Sequence, residues 1–386
     1  MSLKKAKEHI YRCFRCGYCR EMIRGLTDTY LVCPSREYFR WEEYDARGRA
    51  LVARALIEGD LDYSDKIIES VYTCCACGVC KEICPMLDFA KVDMPKIIRA
   101  WREEIVAKGL GPLPRLKEVN EAVEKNYNPL GMSKAERNNW AQGMSIPRTG
   151  DTLYFAGCYA AYRRPEIAKA TMRVLNKTGI DAAILNEEKC CGVPPFWNGQ
   201  TDLGKSLATS NVQAIKETGA KEVVTTCPGC YMTFKEDYPE YAEKLDAEVT
   251  HITQYLEKLI DTNQLQFSSL DKTVTYHDPC HLGRYSKIYD PPRKIIKSIP
   301  GINFVEMKRN RENAWCCGAG IVVASAFPSL SFHTANERIE EAIDTGAEIL
   351  VTACPNCVTQ LRIAAKRAKA DIEVIDLINL VENQML

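Results

Sequence analysis

The sequence has neither an excess of charge of one sign nor a long apolar run. Its 51 Lys and Arg residues balance 51 Asp and Glu residues, which argues against nucleic-acid binding and against polybasic membrane binding. The longest apolar runs, such as residues 320–327, are far shorter than the roughly 18–20 residues that cross a membrane. The first residues lack the apolar core of a signal peptide. We therefore expect a cytoplasmic protein whose membrane association would depend on a partner subunit.

Nucleotide-binding motifs are also absent from the sequence. It contains no P-loop, and no G-x-G-x-x-G follows a predicted strand, so we do not expect this chain to bind a nucleotide or a flavin itself. The chain is nevertheless long. It has 386 residues, of which 46% are hydrophobic, and this is enough to bury the cores of two or three domains.

Cysteine, in contrast, is abundant, with 19 residues in the chain. Secreted disulfide-rich proteins are small, whereas this chain is large, so clustered thiols here indicate metal binding. The cysteines form three groups, which lie at residues 13–84, 158–230 and 280–357.

The last two groups are copies of each other. We call them the first and second quintets, and in both the successive spacings are similar: 32, 1, 36 and 3 against 36, 1, 37 and 3. The first quintet is Cys158, Cys190, Cys191, Cys227 and Cys230, and the second is Cys280, Cys316, Cys317, Cys354 and Cys357. Residues 217–230 also resemble residues 344–357. This internal duplication indicates that the cysteines act in sets of five.

Each copy alternates predicted strands and helices, which is typical of a parallel α/β sheet. In the first copy we predict strands at 152–158, 181–186 and 221–227 and helices at 164–179 and 202–219. In the second copy we predict strands at 272–280, 302–307 and 348–354 and helices at 291–301 and 331–346. Ligands bind at the carboxyl ends of such strands. Four cysteines lie at these ends, so distant parts of each repeat are expected to converge: Cys158, Cys227, Cys280 and Cys354.

The N-terminal cysteines follow the C-x2-C-x2-C-x3-C-P pattern of [4Fe–4S] ferredoxins, although the first motif carries an insertion before Cys33. A short loop fills only three corners of a cubane, and in two-cluster ferredoxins the fourth ligand comes from the other motif. We therefore predict one cubane on Cys13, Cys16, Cys19 and Cys84 and another on Cys74, Cys77, Cys80 and Cys33. Zinc sites usually use two C-x2-C pairs, so iron–sulfur is favoured. Cys75 is left over, as a spare buried thiol or as a further ligand or redox group.

The adjacent cysteines of each quintet need a separate explanation. A disulfide between neighbours is strained, because the usual Cα separation exceeds one peptide step. A four-ligand zinc or cubane site would leave one thiol unused in both copies. Five thiolates suit a cluster with more open metal positions than a cubane. Gly192 and Gly318 follow the pairs and let the backbone approach such a cluster or adopt positive φ.

This arrangement resembles the D subunit of heterodisulfide reductase and the iron–sulfur subunit of glycolate oxidase. The resemblance implies an α+β multidomain fold, with a helical two-cluster ferredoxin domain followed by two tandem α/β cysteine-rich domains, called CCG domains. We expect these domains at 1–110, 151–265 and 266–386, with a connector at 111–150. The ferredoxin domain is expected to contain helices at 45–61 and 94–109 and few strands.

The resemblance also implies a noncubane [4Fe–4S] cluster on each quintet, in addition to the two cubanes. In the related B subunit of heterodisulfide reductase, the disulfide is cleaved between two such clusters. The expected activity is therefore reduction of a disulfide, with electrons passing from the cubanes to the noncubane clusters. The residues expected at the reaction are Cys190, Cys191, Cys316, Cys317 and His281. His281 would donate a proton or a hydrogen bond, or would only fix its loop.

A relay without catalysis is the alternative. The chain would then pass electrons within a complex whose active site lies on a flavoprotein, an acyl-CoA reductase or a 2-hydroxyacid dehydrogenase system. In either case the expected partners are other redox subunits: a flavoprotein, a ferredoxin or a membrane cytochrome subunit.

Overall fold

The computed structural model describes residues 3–24, 28–86 and 91–386. Its N-terminal part is mainly helical, with helices at Lys7–Tyr11, Pro34–Phe39, Ala46–Glu58, Asp65–Tyr72, Val79–Glu82 and Met94–Ala107. Both predicted helices are confirmed, as Ala46–Glu58 and Met94–Ala107. Each begins where an aspartate side chain accepts a backbone hydrogen bond, Asp45 from Gly48 at 2.8 Å and Asp93 from Lys96 at 3.0 Å.

The expectation of few strands in this part missed a hairpin. Strands β1 (Glu21–Arg24) and β2 (Asp28–Leu31) pair antiparallel. They occupy the insertion between Cys19 and Cys33, and the Val32 N–H closes the ribbon by donating to the Arg20 carbonyl at 3.0 Å. The ribbon folds the insertion back on itself, so that Cys33 returns to the cysteine loops. Four-residue strands are too short to show a clear alternating pattern.

The first α/β unit is a parallel sheet of β3 (Thr152–Phe155), β4 (Glu222–Thr225) and β5 (Glu248–His251), in that order. The predicted strand at 181–186 is wrong in extent. Only Ala183 pairs there, by two hydrogen bonds of 2.8 Å with the backbone of β3. The longer helices of this unit are Pro165–Lys177, Thr201–Thr218 and Ile252–Asp261.

The second unit repeats this plan. Its strands are β6 (Lys272–His277), β7 (Ile302–Phe304), β8 (Ile349–Thr352) and β9 (Glu373–Asp376), all parallel in the order β7-β6-β8-β9. Its longer helices are Asp290–Lys297, Pro328–Ile343, Pro355–Ala368 and Leu377–Gln384. Strands β3 and β4 correspond to β6 and β8, because quintet cysteines follow them at matching positions. Strands β5 and β9 correspond by their place in the sheets, next to β4 and β8. The predicted tandem α/β architecture is confirmed.

Residues between the N-terminal part and the first sheet pack closely rather than forming a loose linker. They include the helix Pro114–Asn126, and Trp140 is buried with its ring edge-on to Tyr154 at 5.9 Å. One continuous cluster of buried apolar residues extends from the N-terminal helices into both sheets. The proposed domain limits therefore remain predictions. Among the described residues, no helix has both the length and the apolar character needed to cross a membrane.

Candidate metal centres

The first cavity, which we call the N-terminal cavity, has an empty volume of about 680 Å³. All four ligands predicted for the first cubane line it, together with Cys80: Cys13, Cys16, Cys19 and Cys84. Cys16 is exposed to solvent. Burial raises the pKa of the Cys13 and Cys19 thiols, so a positive metal is needed to hold them as thiolates at neutral pH.

A smaller middle cavity, of about 360 Å³, adjoins the first. The four ligands predicted for the second cubane line it, and Cys75 does so as well: Cys33, Cys74, Cys77 and Cys80. Cys84 of the second motif thus lines the N-terminal cavity, and Cys33 of the first motif lines the middle cavity. The loop turns through positive φ at Ala76 and Gly78, and the guanidinium of Arg102 donates to the Cys74 carbonyl at 2.8 Å.

The C-terminal cavity has an empty volume of about 860 Å³. All ten cysteines of the two quintets are among the residues that line it, as are Cys75 and His281. The sheets explain this convergence. Cys227 and Cys354 directly precede the helices that follow β4 and β8, and the carboxyl ends of the two sheets meet at this cavity. The predicted site residues are therefore brought together.

The two glycines behind the cysteine pairs have the positive φ expected of them. Gly192 has φ +102°, and a Cβ there would lie 2.9 Å from the Phe196 ring. Gly318 has φ +75°, and a Cβ would lie only 2.3 Å from the Ser331 carbonyl oxygen. The Gly318 N–H donates to the Cys316 sulfur at 3.3 Å. Both positions require glycine for the close approach of the loop.

Within each quintet the thiols lie close enough to hydrogen-bond to one another. The Sγ atoms of Cys317 and Cys357 are 3.0 Å apart. Hydrogen bonds from Cys190 and Cys230 lower the pKa of Cys191 to about 6, and bonds from Cys316 and Cys357 lower the pKa of Cys317 well below its usual value. The second cysteine of each pair is thus the readiest thiolate, and thiolates are the form that binds metal.

A buried ion pair beside the first quintet was missed by sequence reasoning. Arg137 donates to the Cys158 sulfur at 3.3 Å and pairs with Glu188. Glu188 also accepts the N–H groups of Ala156 and Gly157, both at 2.9 Å. The pair places positive charge against a ligand and fixes the loop that carries it. Nothing local marks it, because the two charges are 51 residues apart in sequence.

His281 lies in the wall of the C-terminal cavity. Its ring centroid is 5.9 Å from that of Trp197 and 5.0 Å from that of Tyr285. Burial lowers its pKa to about 4, so at neutral pH the imidazole is uncharged and offers one N–H donor. Its role in a reaction remains a prediction.

Cys75 and Arg284 join the N-terminal part to the second quintet. The Cys316 thiol is a hydrogen-bonding partner of both Cys75 and Cys77. Arg284 donates to the Cys77 carbonyl at 2.6 Å and to the Ala314 carbonyl at 2.7 Å. These contacts place the middle and C-terminal cavities side by side.

All three cavities present sulfur donors in sets of four or five, which is the donor chemistry of iron–sulfur clusters. The 4Fe-4S dicluster domain family matches residues 9–87, and the cysteine-rich domain family matches residues 152–235 and 274–362. The chain is therefore an iron–sulfur protein with a dicluster domain and two cysteine-rich domains.

Relatives with assigned names match nearly the whole chain. The D subunit of the dihydromethanophenazine:CoB–CoM heterodisulfide reductase of Methanosarcina acetivorans is 37% identical, over 96% of this chain and 92% of the relative. The B subunit of the CoM/CoB fumarate reductase of Methanothermobacter marburgensis is 30% identical, over 96% of this chain and 71% of the relative.

A solved structure shares the fold at low identity. It is a hypothetical protein from Helicobacter pylori, with a TM-score of 0.54 and 12% identity over 87% of this chain and 66% of that one. The domain matches and the relatives make this chain an iron–sulfur oxidoreductase component with an electron-transfer role. It belongs to the family of the heterodisulfide reductase D subunits.

Proposed function

We propose that this chain reduces a disulfide in the C-terminal cavity, between one noncubane [4Fe–4S] cluster on each quintet. The observation that carries the proposal is that a single cavity is lined by all ten quintet cysteines, five from each α/β unit. A disulfide placed there has a metal site on either side. The name of the heterodisulfide reductase D subunit of Methanosarcina acetivorans favours the same substrate class.

The electron balance fits two sites rather than one. Opening R–S–S–R′ to two thiols takes two electrons and two protons. Iron–sulfur clusters, when bound, deliver electrons one at a time. Clusters held by the two quintets would therefore supply one electron each, and the two thiols would form without a protein nucleophile.

The cavities also provide a continuous route for the electrons. Cys80 lines both the N-terminal and the middle cavity, and Cys75 lines both the middle and the C-terminal cavity. Cubanes on the two predicted ligand sets would thus stand in series before the quintets. Exposed Cys16 is at the outer end, where a partner redox protein would deliver electrons.

Within the C-terminal cavity, His281 is one of the lining residues. We assign it the hydrogen bond to a product sulfur, because its neutral imidazole keeps one N–H at working pH. Cys190, Cys191, Cys316 and Cys317 line the same cavity and would hold the metals there.

Metal analysis of the anaerobically purified chain tests the proposed cofactors. Four four-iron clusters correspond to about 16 irons per chain, and EPR should resolve the quintet clusters from the cubanes. A chain that carried only zinc, or only eight irons, would contradict the proposal of four clusters.

Reoxidation tests the reaction itself. The chemically reduced protein is mixed with the CoB–CoM heterodisulfide, and the loss of the reduced-cluster spectrum and the appearance of free thiols are followed together. We expect two thiols per two electrons, and no thiol from a Cys191→Ser variant that keeps its cubane signals. Symmetric disulfides serve as specificity controls. If no disulfide reoxidises the loaded protein, the relay function replaces catalysis.

A further inference from the structure

His277, the last residue of β6, is a buried histidine beside the second quintet. Its side chain is 1% exposed. One of its ring nitrogens lies within 4.8 Å of the sulfurs of Cys317 and Cys357, which are themselves 3.0 Å apart. Buried polar atoms are almost always hydrogen-bonded, yet among the described residues Nε2 of His277 has no partner.

The other ring nitrogen decides where the proton is. The Arg338 Nε–H donates to Nδ1 of His277 at 2.9 Å, and a guanidinium can only donate. Nδ1 is therefore the acceptor, so the proton of the neutral imidazole is on Nε2. Arg338 is held in this position by Glu341 and by the Arg309 carbonyl, each at 2.8 Å.

The first quintet has nothing equivalent among the described residues. In the sheets, His277 pairs with Thr352 and Phe155 pairs with Thr225. Each threonine precedes a quintet cysteine by two residues, so Phe155 and His277 are structural counterparts. Phe155 is fully buried and packs edge-on against Phe234 at 4.9 Å. The first quintet receives its donor elsewhere, from Arg137 on Cys158.

We infer that His277 donates a hydrogen bond from Nε2 to the sulfur ligands Cys317 and Cys357 and thereby tunes the cluster on the second quintet alone. This inference rests on the proposed cluster at that quintet. A donor to a cluster sulfur stabilises the more negative, reduced state and so raises the reduction potential. The two duplicated sites are therefore unequal, with their donors on different ligands. His277 is a positioning residue in this scheme.

The test is an EPR-monitored redox titration of the full-length, cluster-loaded chain. His277→Phe copies the residue of the first repeat, while His277→Gln keeps an N–H donor. We expect His277→Phe to shift the one-electron reduction equilibrium of one quintet cluster about tenfold towards the oxidised form, or about 59 mV. His277→Gln should restore most of this shift. His251→Asn, at a buried histidine that bonds to Thr226 and Thr253 instead of cysteine, should leave both potentials unchanged.

A second measurement detects the histidine nitrogen directly. Pulsed EPR of wild-type protein labelled with ¹⁵N-histidine should show a weak nitrogen coupling to a quintet cluster that disappears in His277→Gln. Its absence overturns the inference, as do equal shifts in the Phe and Gln variants or none in either. If the wild-type chain has no quintet cluster, both this inference and the proposed function fail, whereas intact clusters with unchanged potentials refute this inference alone.

Discussion

Arg137 and Glu188 show how one pair of buried charges can fix a metal ligand. Arg137→Met removes the cation that contacts Cys158 and leaves Glu188 buried without its partner. We expect a loss of about 3–5 kcal/mol in unfolding free energy, with iron lost from the first quintet. Anaerobic thermal unfolding and iron analysis measure both effects. The double variant Arg137→Met/Glu188→Gln removes both charges and should recover part of the stability, and an equal loss in both variants would contradict this account.

Asp376 gives a residue-scale prediction about pH. It ends β9 and caps the last helix by accepting the Ile378 N–H at 3.0 Å. Burial raises its pKa to about 7, above the unfolded value of about 3.9. The unfolded chain therefore gives up this proton more readily, and stability falls as the pH rises from about 4 to 7, then stays level.

The Asp376→Asn variant keeps the helix cap. It has no ionisable group at this position, so the fall in stability with rising pH should disappear. Above pH 7 the variant should be more stable than wild type, by up to roughly 4 kcal/mol, and the advantage should shrink towards pH 5. Unfolding midpoints of the loaded proteins at pH 5.5 and 8 test this. An advantage that does not depend on pH would mean that the charge of Asp376 is not the cause.

Among the structural elements, the loop carrying the second cysteine pair is the most tightly placed. Gly318→Ala combines positive φ with a 2.3 Å contact to the Ser331 carbonyl, in the helix Pro328–Ile343. Since that helix cannot give way easily, we expect loss of the second quintet cluster, or about four irons per chain. Gly219→Ala is the matched control, because Gly219 also has φ +75° but no atom within 4 Å of a Cβ. Equal iron loss in both variants would assign the effect to backbone strain alone.

The limits of sequence reasoning are visible at the same scale. The ligand sets could be predicted because cysteine spacing is local and the duplication repeats it. The strand predicted at 181–186 was wrong because its apolar residues indicate only that the segment is buried. A segment in which a single residue pairs with a strand can be equally buried. Strand β5 and the hairpin of β1 and β2 were not predicted, because no quintet cysteine follows them to mark the strand end, as one does after the equally short β3, β4 and β8.

Long-range contacts between charged side chains and the backbone escaped prediction for a different reason. Arg284 bonds to a carbonyl 207 residues away in sequence, and no spacing encodes such a partner. The tautomer of His277 depends in the same way on Arg338, 61 residues distant. Sequence therefore predicts which residues bind the metals, and the fold was needed to find the side chains that contact those residues.

At the scale of the whole molecule, two buried arginines hold the middle cavity between the α/β units. Arg102 donates to the Cys74 carbonyl at 2.8 Å and to the Trp197 carbonyl at 2.9 Å, in the first unit. Arg284 connects the Cys77 and Ala314 carbonyls, the latter in the second unit. The loop that carries Cys74 and Cys77 is thus fixed to both α/β units, and this keeps the proposed electron route short.

Removing one of these connections should slow electron transfer without removing a cluster. Arg284→Met leaves all 18 predicted ligands in place but frees the Cys77 loop from the second unit and leaves buried carbonyls unpaired, at about 1–3 kcal/mol each. We expect full iron content and a several-fold slower passage of electrons from the cubanes to the quintet clusters in stopped-flow reduction. Arg148→Met, which removes a surface arginine bonded to the Leu185 carbonyl, should keep the wild-type rate. An unchanged rate in Arg284→Met would show that electron transfer to the quintets does not depend on the hydrogen bond from Arg284 to the Cys77 carbonyl.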